Sequence, residues 1–329
     1  MFCKKGESRM SKAMKIWLVI AASLVLMGAL VFGGVMAMLK WDFTKLSTNK
    51  YVTNEYEINE SFSAISIDVD TTDVKFVPSE DSKCSVSCYE QTNMKHSVTV
   101  KDGTLTIKVI DTRKWYEHIG IGFNSPSITV YIPKGEYGQL LLKSDTGDVE
   151  IPKELKFEKI DISTDTGDVK NYASASGSIK IKTDTGDVCV ENISAAEFDV
   201  SVSTGDIVAS HVKCDGEIKL AVSTGKTTLT DVVCENLSSR GSTGNMILKN
   251  VIVGEVLSVE RSTGDVKLDG CDAAQLFIMT DTGDVKGSLL SEKVFIYHTD
   301  TGDVDLPHTT TGGICEIYTD TGDIKINID

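Results

Sequence analysis

Basic charge is scarce in this chain. Thirty-three Lys and Arg stand against 48 Asp and Glu, a formal net charge of -15 over 329 residues. That deficit excludes a nucleic-acid partner, because such binding needs a basic stripe to displace counterions. Histidine is also rare, and His96, His118, His211, His298 and His308 cluster with no motif. The groove of clustered acids, bases or metal ligands that a β-helix polysaccharide lyase or hydrolase needs is therefore not visible. Cysteine is too thin for a disulfide scaffold in a chain of this length. Cys3 precedes an apolar run. Cys84, Cys88, Cys189, Cys214, Cys234, Cys271 and Cys315 follow it, an odd number, so at least one is unpaired. Small buried hydrophobes are their expected role.

The apolar run, Ile16 to Leu39, carries no charge. Its length as a helix, about 36 Å, is enough to cross a bilayer with some tilt. Trp17 and Trp41 sit where interfacial anchors belong. Lys4, Lys5, Arg9, Lys12 and Lys15 precede it, with Glu7 the one acid. The positive-inside rule then places the N-terminus in the cytoplasm and residues 40–329 outside. The outer part carries 28 basic and 47 acidic residues, a net of -19. Val35-Met36-Ala37 would serve as a signal-peptidase site, but the run exceeds the roughly 7–15 residues of a signal h-region, so an uncleaved anchor is expected.

Beyond the anchor one pattern dominates. Thr-Gly pairs place glycine at Gly147, Gly167, Gly186, Gly205, Gly225, Gly244, Gly264, Gly283, Gly302 and Gly322. The spacing is always 19 or 20 residues. Several read Asp-Thr-Gly, the triplet of aspartic proteases, but a protease needs two facing copies rather than ten in register. One period, from Ile160 to Lys170, alternates apolar or Thr residues (Ile160, Ile162, Thr164, Thr166) with Asp161, Ser163 and Asp165. Period two means a strand with one buried face. Seven residues before each glycine stands an apolar residue such as Phe198 or Ile218. Two after it stands Val149, Val188 or Ile207. Seven after it come Ile193, Val212, Val232, Val251, Cys271 and Leu290. A unit this short buries its apolar face only by stacking on its neighbours. The expected fold is all-β: a β-solenoid of about ten 19–20-residue coils, each a strand, a Gly corner, a second strand and a looser return. A leucine-rich horseshoe has a similar period, but no helical stretch fills the return, and Val, Ile and Thr favour strand.

In such a stack, equivalent residues form columns. Asp148, Asp168, Asp187, Asp284, Asp303 and Asp323 follow the glycine in one column. Asp145, Asp165, Asp184, Asp281, Asp300 and Asp320 precede it by two in another. Both should point outward. Turn chemistry explains them, since Asp bonds its own backbone two residues on and Gly supplies positive φ. Stacked carboxylates could alternatively hold calcium, although Ser, Lys226 and Asn245 interrupt the columns. No other cofactor is expected, and no catalytic residue. Cys214 and Cys234 occupy equivalent positions and would stack about 5 Å apart. That leaves a disulfide or two stacked thiols.

Residues 1–15 read as a cytoplasmic tail, 16–39 as the anchor, 40–60 as a polar stalk, 61–135 as an N-terminal β region, and 136–329 as the regular coils. Thr72 stands where glycine would in a degenerate first coil. Val98–Val100 and Leu105–Val109 form a hairpin through Asp102-Gly103, and the stretch Trp115 to Ser127 reads as a loop. The terminal segment Ile324–Asp329 has no polar cap, so it should leave a sheet edge free for a partner or a second copy.

The segments SFSAISIDVDTTDVKFVPSE, KDGTLTIKV and SITVYIPKG, with the recurrent TDTGDV coils, resemble the DUF4097 family over about residues 55–329. The resemblance implies a bacterial envelope protein of β-strand repeats, grouped with adhesins, non-enzymatic and here Gram-positive. It transfers no catalytic residue. It implies a partner in the envelope or wall polymer, and some relatives belong to envelope stress responses.

Overall fold

The computed structural model describes residues 11–46, 50–80, 83–115 and 124–329. The chain divides into two compact units, residues 1–50 with 114–124, and residues 51–113 with 125–329. In the first unit a single helix runs over Lys12–Met38, with Ser11 capping it by accepting from the Met14 amide. It is the one helix among the described residues long and apolar enough to cross a membrane, at a mean hydropathy of 2.5.

The second unit is a β-solenoid. The coil around Gly205 shows why. Glu197–Thr204 buries Phe198, Val200 and Val202 on alternate positions. Gly205 turns the corner and Ile207–Cys214 follows. Each strand pairs in parallel with its equivalent one period on: Phe198 opposite Ile218, Thr204 opposite Thr224, and Ile207 opposite Thr227. In-register parallel pairing puts Val, Ile and Leu of successive coils in continuous inward rows, the only way so short a repeat excludes water. At Thr166 the expected alternation ends: Asp165 and Thr166 are both exposed because the chain is already entering the corner.

The looser return is a defined second corner. Asn192, His211, Asp231 and Asn250 each lie six residues after a corner glycine, with φ between 51° and 56°, and Gly270 takes the same place at 61°. Asn and Asp tolerate this left-handed region better than other side-chain-bearing residues. The inward residues that follow include Ile193, Val212, Val232, Val251 and Cys271. Leu290 does not join them. Leu289 pairs with Cys271 across a register shift, and Leu290 is left exposed.

The first coil is the degenerate one, Ala64–Thr71 and Asp73–Ser79, with Thr72 at the glycine position and Thr71 paired to Thr146. Beyond it lies one more parallel layer, Thr104–Lys108 on Ala64–Asp68 and Ser127–Pro133 on Asp73–Ser79, and antiparallel strands then cap the stack. Cys84–Gln91 runs antiparallel between Tyr51–Ile58 and Ser127–Pro133. Met94–Lys101 pairs with Thr104–Asp111 through Asp102 and Gly103, both at positive φ. The stretch taken for a stalk thus contributes a strand. Tyr51–Ile58 escapes notice because its exposed residues dilute the apolar signal: Thr53, Glu55 and Glu57 alternate with half-buried side chains. Much of the expected loop, residues 116–123 with His118, lies outside the described residues.

At the other end the coils are out of sequence order. Leu276–Thr282 pairs with Cys315–Thr321, and Gly313–Thr321 pairs in turn with Lys293–Thr301. Ile324–Ile328 lies between Val285–Leu289 and Val304–Asp305. The last strand is therefore interior, and the free edge belongs to residues 293–305. Inward residues explain the order. Cys315, Ile317, Ile324 and Ile326 are fully buried aliphatics or thiol, suited to a coil covered on both sides, whereas Phe295, Tyr297 and Val304 are partly exposed.

Candidate functional site

The glycine corners carry φ values of 131° to 159°. Positive φ is only half of their reason. A Cβ on Gly205 would lie 2.1 Å from the Gly186 carbonyl oxygen, and the same clash recurs from Gly147 to Gly322. Each corner rests on its neighbour in the stack, so from Gly147 onward the column admits no side chain, and only the first corner, which carries Thr72, does.

The aspartates after those glycines form a hydrogen-bonded ladder. The Asp168 amide donates to Asp148 Oδ1 at 2.8 Å, Asp187 to Asp168 at 2.9 Å, and Asp206 to Asp187 at 2.8 Å. Lys226 donates to Asp206 but has no side-chain acceptor to offer, and Asn245 restarts the series by accepting from Asp265. Asp284, Asp323 and Asp303 continue it in the spatial order of the coils. The expectation that each Asp bonds its own turn is thus corrected: the bond runs from coil to coil. A carboxylate accepting an amide is a charge-assisted bond, which offsets repulsion along the column. The outer column, Asp145, Asp165, Asp184, Asp281, Asp300 and Asp320, is exposed. Neither column brings three donor atoms within 4.8 Å of one another among the described residues.

Three residues before each glycine, Thr183, Thr280 and Thr319 are buried and donate to the corner carbonyls Gly167, Gly264 and Gly283. The middle coils break this row. Arg261 is buried there, bonding the Glu260 carbonyl and Ser239 Oγ at 2.9 Å each. Burial pushes its guanidinium down to about 10. Gly241 makes room: a Cβ there would come within 2.8 Å of Arg261 Nη1.

All seven described cysteines are free thiols. Cys214 and Cys234 are both buried, and Cys214 Sγ faces the carbonyls of Ala196 and Glu217 at 3.4 Å.

The capped end holds two further features. One is an open cleft of about 1050 Å³ whose lining includes Glu57, Glu60, Phe62, Ser79, Tyr131 and Tyr137. Phe62 and Tyr137 stack at 6.0 Å, and Ser79 Oγ is buried without a hydrogen-bond partner. The other is a buried polar cluster. Cys88 and Glu90 project inward from one strand by the period of two, and His96 comes from the next strand after a tight turn at Gln91–Met94. Their exposures are 0%, 0% and 3%. His96 Nδ1 lies 2.7 Å from Glu90 Oε2, and the His96 amide donates to the same oxygen. Asn54 Nδ2 donates to Glu90 Oε1, Tyr56 Oη donates to the His96 carbonyl at 3.0 Å, and Thr72 Oγ1 lies 3.4 Å from His96 Nε2. Burial, then the Glu90 carboxylate, pushes the Cys88 thiol up to about 12.

Residues 62–223 and 213–329 match the family described as Toastrack DUF4097. The chain belongs to that family. Among solved structures, this Toastrack chain is similar to a "putative adhesin" from Parabacteroides distasonis, at 14% identity over 85% of this chain and 98% of the other, with a TM-score of 0.49. A "putative lipid binding protein" from the same organism gives 15% identity, the same coverages and 0.48. A "putative adhesin" from Parabacteroides merdae gives 14% and 0.42. No curated protein matches.

For this Toastrack member, sequence reasoning missed the buried cluster. His96 belongs to no motif along the chain, which hides its role. Cys88-x-Glu90 does place two donors on one strand face, and a turn within the next six residues brings His96 back towards them; that spacing was the available signal.

Proposed function

We propose that the chain is a non-catalytic interaction protein of the cell envelope, anchored by the helix Lys12–Met38, whose free edge at residues 293–305 pairs with the same edge of a second copy. The observation that carries this is the edge itself. Lys293–Thr301 has a neighbouring strand on one side only, and its uncharged centre exposes Val294, Ile296 and Tyr297. Unpaired strand edges template further pairing unless covered. The opposite end is closed by antiparallel strands, so coils cannot continue head to tail. Edge-to-edge pairing closes on a two-fold axis. Chains that are anchored by their N-terminal helix and paired through their last coils would join facing surfaces, the behaviour of an adhesin.

The test uses full-length protein in liposomes. Vesicles carrying the wild type should cluster, and vesicles carrying Ile296→Asp should not. Dispersed wild-type vesicles, with a monomer in detergent at every concentration, would overturn homotypic pairing and leave the edge to a strand of another envelope protein. The cleft supports a second reading. Paired aromatics with nearby carboxylates suit a wall saccharide, and titration with soluble wall fragments against Tyr137→Ala tests it.

A further inference from the structure

We propose that Cys88, Glu90 and His96 form a buried transition-metal site that ties the capping strands to the end of the solenoid. One donor atom from each residue lies within 4.8 Å of one from each of the others, and no other group of three among the described residues meets this condition. The three sit in an end core otherwise built from aliphatic side chains such as Val86, Ile107, Ile128 and Val130. Thiolate, imidazole and carboxylate together suit zinc or cobalt(II), and are a poor match for calcium or magnesium, which take oxygen alone.

The His96 and Glu90 donors require little movement. In a tetrahedral site with metal–nitrogen and metal–oxygen bonds of about 2.0–2.1 Å, neighbouring donors stand about 3.3 Å apart. His96 Nδ1 and Glu90 Oε2 are at 2.7 Å, so they open by roughly 0.6 Å to admit the ion. A support for the carboxylate is already in place, since Asn54 from the adjacent strand holds its second oxygen. Conserving such outer contacts is how metal sites orient their ligands. The position matters mechanically. Cys88 and Glu90 belong to the wall that pairs with Tyr51–Ile58 and Ser127–Pro133, while His96 belongs to the strand that pairs with Thr104–Asp111. A shared ion would add a coordinate tie between the two walls, which the turn Gln91–Met94 and the hydrogen bonds of His96 with Tyr56 and Glu90 already join. Full burial makes the role structural, with the metal loaded as the chain folds.

The test is refolding of chelator-treated, urea-unfolded full-length protein into detergent in the presence of cobalt(II). One equivalent should produce a thiolate-to-cobalt charge-transfer band in the near ultraviolet, zinc should displace it, and zinc should raise the melting temperature. Cys88→Ser should abolish the band and the zinc-dependent rise. Cys189→Ser, at a half-exposed thiol elsewhere, should keep both. Absence of the band in the wild type overturns the proposal, as does its persistence in a folded Cys88→Ser. Should Cys88→Ser fail to fold, the wild-type band and its displacement by zinc decide the matter.

Discussion

Replacing one corner glycine should damage the solenoid far more than replacing a glycine elsewhere in a strand. Gly205→Ala carries two costs. Its φ of 142° lies where a side chain costs about 1–3 kcal/mol. Its Cβ would also stand 2.1 Å from the Gly186 oxygen, and opening that contact by about 1 Å in a packed ladder costs about 1–3 kcal/mol more. Together they give about 4 kcal/mol. Gly135→Ala is the control, because nothing lies within 4 Å of its Cβ and its φ is ordinary; it should stay within about 0.5 kcal/mol of wild type. Urea unfolding followed by circular dichroism reads the difference. At an m-value of about 3 kcal/mol/M, the Gly205→Ala midpoint should fall by about 1.3 M. Equal midpoints for the two variants would refute the reasoning that corners rest on corners.

Three further expectations follow from the interior. Asp187→Asn keeps an acceptor for the Asp206 amide, as Asn245 does naturally, whereas Asp187→Ala loses it and should cost about 1–2 kcal/mol in the same unfolding assay; calcium and chelator should give equal melting curves. Cys234 and Cys315 are pushed by burial from 9.0 up to about 12. The folded state therefore favours neutral thiols there: this stabilisation is complete below about pH 9 and is lost as pH rises towards 12, so urea midpoints should decline across that window, and maleimide at neutral pH should label half-exposed Cys189 before these two. Arg261→Met should be neutral or stabilising by melting temperature, because it replaces a buried cation bonded to a carbonyl and two hydroxyls rather than to a carboxylate with an apolar chain of similar reach; Gly241→Ala should destabilise, since it crowds Nη1.

The solenoid was legible because its physics is local and repeated. Alternation at Ile160 and Ile162 fixes the inward face, and the Thr-Gly period fixes the corners. The second corner was harder to see, since Asn192, His211, Asp231 and Asn250 share a backbone conformation rather than a residue type. Coil order was invisible for a different reason. Gly302 and Gly322 keep the period whether the last coil lies outside or inside its predecessor, and only the degree of burial at Phe295 against Cys315 tells them apart. The Cys88, Glu90 and His96 cluster depends on a turn bringing two walls together, which no periodicity records.

The position of the free edge decides what the molecule can pair with, and amide hydrogen exchange on the full-length protein reads it directly. Ile324–Ile328 should be protected to the same degree as Val285–Leu289, while Lys293–Thr301 exchanges faster along its unpaired side. Fast exchange at Ile324–Ile328 with slow exchange at Lys293–Thr301 would restore the sequence order of the coils and contradict the edge described above.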